Sequence, residues 1–259
     1  MHARQASVFI SYSRLDQTFV RELMNALSAS GREVWVDWES IEKGTFWRER
    51  IQAGIDNQDA FVFVVSPSSL TSEICNGELA YAIAQNKRIL PVVRHELVEP
   101  WLLEQWQGKS WEATAQANWT KLKEINWLFC RVSDDFGQAV ESLEHDLNRD
   151  IDYLTSHTAL GARALLWDRR EHENGYLARG AELREMEKWL KKADSDLKDP
   201  PPSDLHRDYI AASRRYDNRN RRGNLFIFGA AILFLIAIIL LLAFSYYAAS
   251  LVPGSGSGS

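Results

Sequence analysis

Five short apolar runs recur along the first 150 residues: SVFISY (7–12), REVWVD (32–37), AFVFVVS (60–66), RILPVV (88–93) and WLFCRV (127–132). They are rich in β-branched and aromatic residues, and each is too continuous for one face to lie in water. Strands of that kind are buried on both faces, as in a parallel sheet, and parallel strands need crossover connections. The segments between them supply these. In 16–31, Phe19, Val20, Leu23, Met24 and Leu27 recur at helical spacing before a glycine stop, and 46–57, 69–83 and 135–148 also read as helices. The predicted class is α/β, a parallel sheet flanked by helices over residues 1–150. Ligands of open parallel sheets collect beyond the carboxyl ends of the strands. A site is therefore expected among Ser11 to Arg14, Asp37 to Phe46 and Ser66 to Glu78.

Composition removes several alternatives. A net charge of -5 does not suit a protein whose main partner is nucleic acid, which needs a basic surface. Two cysteines, Cys75 and Cys130, cannot form a disulfide framework, and no Cys/His cluster has metal spacing, so a reducing compartment and no metal are expected. Phosphate-loop and serine-hydrolase chemistry lack their motifs, GxxxxGK[ST] and GxSxG. The N-terminus MHARQASVFI has no long apolar core of a secretory signal.

The stretch SLTSEICNGELAYAI (69–83) places Ser72, Cys75 and Glu78 at intervals of three. On a helix these would form one polar stripe able to line a pocket. The plainer reading makes Ser72 an N-cap, Cys75 a small buried residue and Glu78 a solvated carboxylate of the first turns. The stretch alone leaves both open.

Three segments carry a resemblance. VFISYSRLD (8–16), VWVDWESIEKGTFW (34–47) and FVFVVSPSSLTSEICNGEL (61–79) resemble, in order and spacing, the three signature boxes of the Toll/interleukin-1 receptor (TIR) domain. The resemblance implies a flavodoxin-like sheet and two possible activities. Enzymatic members cleave the nicotinamide from NAD+ with an essential glutamate in the third box, which would here be Glu78; other members are non-catalytic adaptors that assemble with further TIR domains and commonly lack that glutamate. It further implies that Tyr12, Arg14, Trp38, Phe46, Ser72 and Cys75 shape the substrate site. The second box would be a mobile assembly loop containing Asp37, Glu39, Lys43 and Gly44, through which TIR domains self-associate. NAD+ would be the substrate, with no separate cofactor. Ile74 stands where the family often has tryptophan.

Residues 101–127 hold Trp101, Trp106, Trp111, Trp119 and Trp127, five of the ten tryptophans. They suit either an interaction surface or an extra helix packed on the domain edge. After Asp150 the pattern turns helical: 151–200 reads as a helical hairpin broken by DPPPSD, and 201–223 as a basic helix. Residues 225–244, LFIFGAAILFLIAIILLLAF, contain no charge and at ~1.5 Å per residue span about 30 Å, a bilayer's hydrocarbon thickness. A transmembrane helix is therefore expected over 224–247. The arginines of RRYDNRNRR before it place the N-terminal domain on the cytoplasmic side of a single-pass membrane protein. Residues 252–259, ending in GSGSGS, read as a linker or tag remnant, and the natural chain is expected to continue past residue 251.

Overall fold

The computed structural model describes residues 5–37 and 45–250, with the side chains of 45–47, 221–232 and 243–250 left aside. Strands β1 (Val8–Ser11), β2 (Val34–Val36), β3 (Ala60–Val65), β4 (Arg88–Val93) and β5 (Leu128–Phe129) form one sheet in the order β2-β1-β3-β4-β5. All pairings are parallel, with Phe9 in register with Trp35 and Phe61, and Ser11 with Phe63.

Alternate strand residues feed two cores. Phe9, Phe61, Phe63 and Val65 face the side covered by α2 (Thr45–Asn57), α3 (Pro67–Leu70), α4 (Glu73–Ala84), α5 (Glu99–Trp106) and α6 (Glu112–Lys123). Val8, Ile10, Val62 and Val64 face α1 (Gln17–Ala29) and α7 (Phe136–Asn148). This two-sided burial is why the runs carry no polar alternation. Close approach of α2 to the sheet depends on Gly54, where a Cβ would come within 3.0 Å of the Trp35 ring and 3.2 Å of Phe9.

The tryptophan-rich region belongs mainly to the core. Trp106 is fully buried and donates its indole N–H to the Leu70 carbonyl at 2.8 Å; Trp119 packs against both Trp106 and Trp127. Trp101 and Leu103 of α5 are exposed, by 41% and 43%.

Beyond the sheet lie α8 (Ile151–Arg169), α9 (Gly180–Ser195) and α10 (Asp204–Ser250). Helices α8 and α9, within the segment expected as a helical hairpin, form a three-helix module with the start of α10. Tyr209, Ile210 and Ala212 of α10 fill the core between Leu160, Ala164 and Trp167 of α8 and Leu183 of α9. The reason is that a two-helix hairpin this short leaves one apolar stripe uncovered. Among the described residues no helix is long and apolar enough to cross a membrane. Of the span expected over 225–244, residues 233–242 have described side chains. All ten are exposed, the large apolar ones by 43–71%.

Candidate functional site

The site is built where β1 and α4 meet at the carboxyl end of the sheet. Ser72 caps α4, accepting the Cys75 backbone N–H at 3.3 Å. This starts the helix beside β1, and two turns later Glu78 faces the strand end. Ser11, the last residue of β1 and almost fully buried, donates its hydroxyl to Glu78 Oε2 at 2.6 Å. The Cys75 thiol donates to the Tyr12 carbonyl at 3.3 Å, and the Tyr12 hydroxyl donates to the Asp37 carbonyl at 3.2 Å, which ties the end of β1 to the end of β2.

Electrostatics distinguishes Glu78 from a surface carboxylate. Desolvation raises its pKa to about 7; the Ser11 hydrogen bond opposes the shift and the charge of Asp37 adds to it. The residue as a whole is half-buried. The neighbours are held in their neutral forms. Burial pushes Cys75 up to about 12, helped by the charge of Glu78, and pushes Tyr12 up to about 12, helped by Asp37. Near neutral pH, Glu78 is the group here that changes charge most readily.

The stretch 69–83 thus combines the two readings of its sequence. Ser72 is an N-cap and Cys75 a buried residue, but Glu78 is not a solvated carboxylate. Structure brings Tyr12, Ser72, Cys75, Glu78 and the backbone of Asp37 together. Arg14 opens a short 3-10 turn (Arg14–Asp16), is exposed, and lies near enough to lower the Tyr12 pKa against the stronger raising effects. Phe46 is in the first turn of α2, with its side chain outside the described residues, as are Trp38, Glu39, Lys43 and Gly44 altogether. Ile74 is 47% exposed at the start of α4.

Two supports stand beside the residues named individually. Ser11, which opens the expected range Ser11 to Arg14, is one; its signal is a polar residue closing an apolar run at a strand's carboxyl end. The other is Asp16, buried just after the first strand, which accepts from Ser66 Oγ at 2.6 Å and Ser68 Oγ at 3.2 Å. It joins the loop after β1 to the capped start of α3.

A family model described as TIR domain matches residues 8–143, more than half of the chain. The chain belongs to the TIR domain family. Three curated relatives have related names. A 2' cyclic ADP-D-ribose synthase, BtTIR, from Bacteroides thetaiotaomicron is 33% identical over 94 residues, covering 34% of this chain and 33% of the relative. The probable 2' cyclic ADP-D-ribose synthase TcpO from Methanobrevibacter olleyae is 27% identical over 112 residues, covering 42% and 32%. The probable 2' cyclic ADP-D-ribose synthase BdTIR from Brachypodium distachyon is 33% identical over 87 residues, covering 33% and 39%. The chain therefore spans about a third of the length of these relatives, and the matched lengths are comparable to the sheet domain of this TIR protein.

Proposed function

We propose that this TIR protein cleaves the bond between nicotinamide and ribose in NAD+, with Glu78 as the catalytic carboxylate. The observation that carries the reading is the Ser11–Glu78 pair: a desolvated carboxyl group held by a hydroxyl at the carboxyl end of a parallel sheet, with its pKa brought close to neutrality. The names of the three relatives support the same class of reaction.

The chemistry asks for one carboxylate. Nicotinamide leaves as a neutral molecule from a cationic ring, so no acid has to protonate it, and the ribose passes through an oxocarbenium-like state. Ionised Glu78 stabilises that developing positive charge and binds the ribose hydroxyls, an interaction stronger in the transition state than in the ground state. The cationic nicotinamide also favours ionisation of a carboxyl poised near pH 7. Capture by water gives ADP-ribose; capture by a hydroxyl of the same molecule gives a cyclic ADP-ribose, with the hydroxyl proton passing to Glu78. The relatives' names favour the cyclic product. In this scheme Arg14 binds phosphate, and Tyr12, Trp38, Phe46, Ser72 and Cys75 shape the pocket.

The same proposal places the protein in a membrane. The uncharged sequence of 225–244 and the exposure of 233–242 support a span formed by the later part of α10, with the TIR domain on the cytoplasmic side. Confinement to a surface raises the effective concentration of neighbouring domains, so weak contacts through 37–46 become productive. NAD+ depletion on assembly would then arrest the cell, a defence role that rests on family resemblance.

The test is nicotinamide release by the full chain reconstituted at high density in vesicles, beside Glu78→Ala with its folding confirmed. Release that vanishes in the variant supports the reading. Clustering without release by either protein would make the chain an adaptor.

A further inference from the structure

Helix α4, which carries Glu78, and helix α2, which packs against it, are both joined to the helical module. Helix α2 begins just after residues 38–44 and runs to Asn57, while α4 carries Glu78 and, three residues on, Tyr81. Asp56, buried in the last turn of α2, accepts the Tyr81 hydroxyl with both carboxylate oxygens, at 2.8 and 3.0 Å. Its Oδ2 also accepts from Nη2 of Arg169 at 3.1 Å. Arg169 ends α8. One carboxylate therefore holds together the helix that follows the expected assembly loop, the helix that carries the candidate catalytic residue, and the first helix of the module.

We propose that Arg169, Asp56 and Tyr81 form a latch through which the docked helical module positions Glu78. The inference deepens the NAD+ reading and rests on it for its activity readout. A helix is stiff over one turn, and Tyr81 lies only about 4.5 Å along the axis from Glu78. A displacement of the Tyr81 hydroxyl is therefore carried to Glu78 with little attenuation, and a catalytic group moved by an ångström loses much of its effect.

Position in the fold makes the latch separable from the core. Asp56 is 93% buried at its side chain, so it must keep its partners, whereas the Arg169 side chain is 57% exposed and can withdraw without opening the interior. The remaining links of the module attach elsewhere. Arg88, at the start of β4, donates to the Asp199 carbonyl at 2.8 Å, and Asn86 donates to the Pro201 carbonyl at 3.2 Å. These keep the module docked when Arg169 is shortened. Tyr81, Asp56 and Arg169 are positioning residues; none of them touches the reacting atoms in this scheme.

The test uses the full chain in vesicles with Arg169→Ala, Arg169→Lys and Tyr81→Phe. Melting temperature, kcat and KM for nicotinamide release, and hydrogen exchange across residues 73–84 are measured for each. The latch predicts melting close to wild type for the two Arg169 variants, a lowered melting temperature for Tyr81→Phe, faster exchange in 73–84, and a kcat lowered roughly 3- to 30-fold with KM within about twofold. Arg169→Lys should recover part of the loss. Unchanged kcat in folded Arg169→Ala and Tyr81→Phe overturns the proposal, as does a loss in Arg169→Ala that only follows a lowered melting temperature. A wild-type chain that releases no nicotinamide overturns the NAD+ reading instead, and exchange in 73–84 then decides the latch alone.

Discussion

The amino end of the sheet and Glu78 at its carboxyl end treat buried charge in opposite ways. At the amino end, each buried ionic group is met by a partner of complementary chemistry. Asp59 accepts from the Ser7 backbone N–H and hydroxyl, Arg32 donates to the Ala6 carbonyl and Asn148, and Lys87 donates to two carbonyls with Asp56 and Asp59 nearby. At the carboxyl end, Glu78 is met by a hydroxyl and by the like charge of Asp37. Matched burial fastens one part of a fold to another. Poorly matched burial raises the energy of the charged form and is retained where that form has chemistry to perform.

The contrast is tested most severely at Glu78. Replacement by Gln should lower nicotinamide release roughly 10^2- to 10^4-fold, while wild-type kcat/KM should rise with pH to a plateau, with a midpoint near the carboxyl's pKa of about 7. Stability should move the other way. The folded carboxyl binds its proton more tightly than the unfolded one, so the folded state holds more protons between pH 4.5 and about 7. Stability is therefore highest below that window and falls as pH rises through it, by about 3 kcal/mol at ~1.4 kcal/mol per unit, less whatever solvent access screens. Glu78→Gln mimics the protonated state and should melt above wild type at pH 8. A variant that melts lower there would mean Glu78 is fastened like the amino-end charges.

Lys87 offers the converse test. Lys87→Met leaves the Asp56 and Gln58 carbonyls without their buried donor and should destabilise the protein by about 3 kcal/mol in denaturant titration. Burial lowers the Lys87 pKa to about 8 from 10.5, although Asp56 and Asp59 resist the shift. Between those values the unfolded chain holds more protons, so this lysine makes stability rise with pH across the window, opposite in sign to Glu78. The difference between wild type and Lys87→Met should shift accordingly between pH 8 and 10.5. If Lys87→Met kept its fold and stability, the amino end would not be the fastening described above.

How far the sequence revealed this division depends on range. Strand positions were readable because apolar runs report two-sided burial locally; the run at 127–132 shrinks to Leu128–Phe129 because it sits at the sheet edge, paired only with Val92 and Val93. The three-helix module was harder, since the inward face of α10 shows only a few apolar residues among many charges. Contacts between distant residues were invisible. Ser11 and Glu78 are 67 positions apart and Asp56 and Arg169 are 113 apart, and no local pattern predicts which buried charge will find a partner.

Cys75 gives the finest test, because it lies at the carboxyl end yet is matched like an amino-end group. Its thiol is buried, donates to the Tyr12 carbonyl, and is pushed up to about 12, so it carries almost no thiolate near neutrality and is a poor nucleophile. Cys75→Ala removes a sulfur and one weak hydrogen bond, which should lower stability by about 1 kcal/mol. Nicotinamide release should stay within about fivefold of wild type if Cys75 only packs against the end of β1, since a contact worth less than about 1 kcal/mol at the transition state alters rate by no more than that. Alkylation of wild type by iodoacetamide at pH 7 should likewise be slow at this position. Fast alkylation, or a large loss of activity in Cys75→Ala, would extend the chemically active region from Glu78 one further turn back along α4 and move Cys75 out of the matched class.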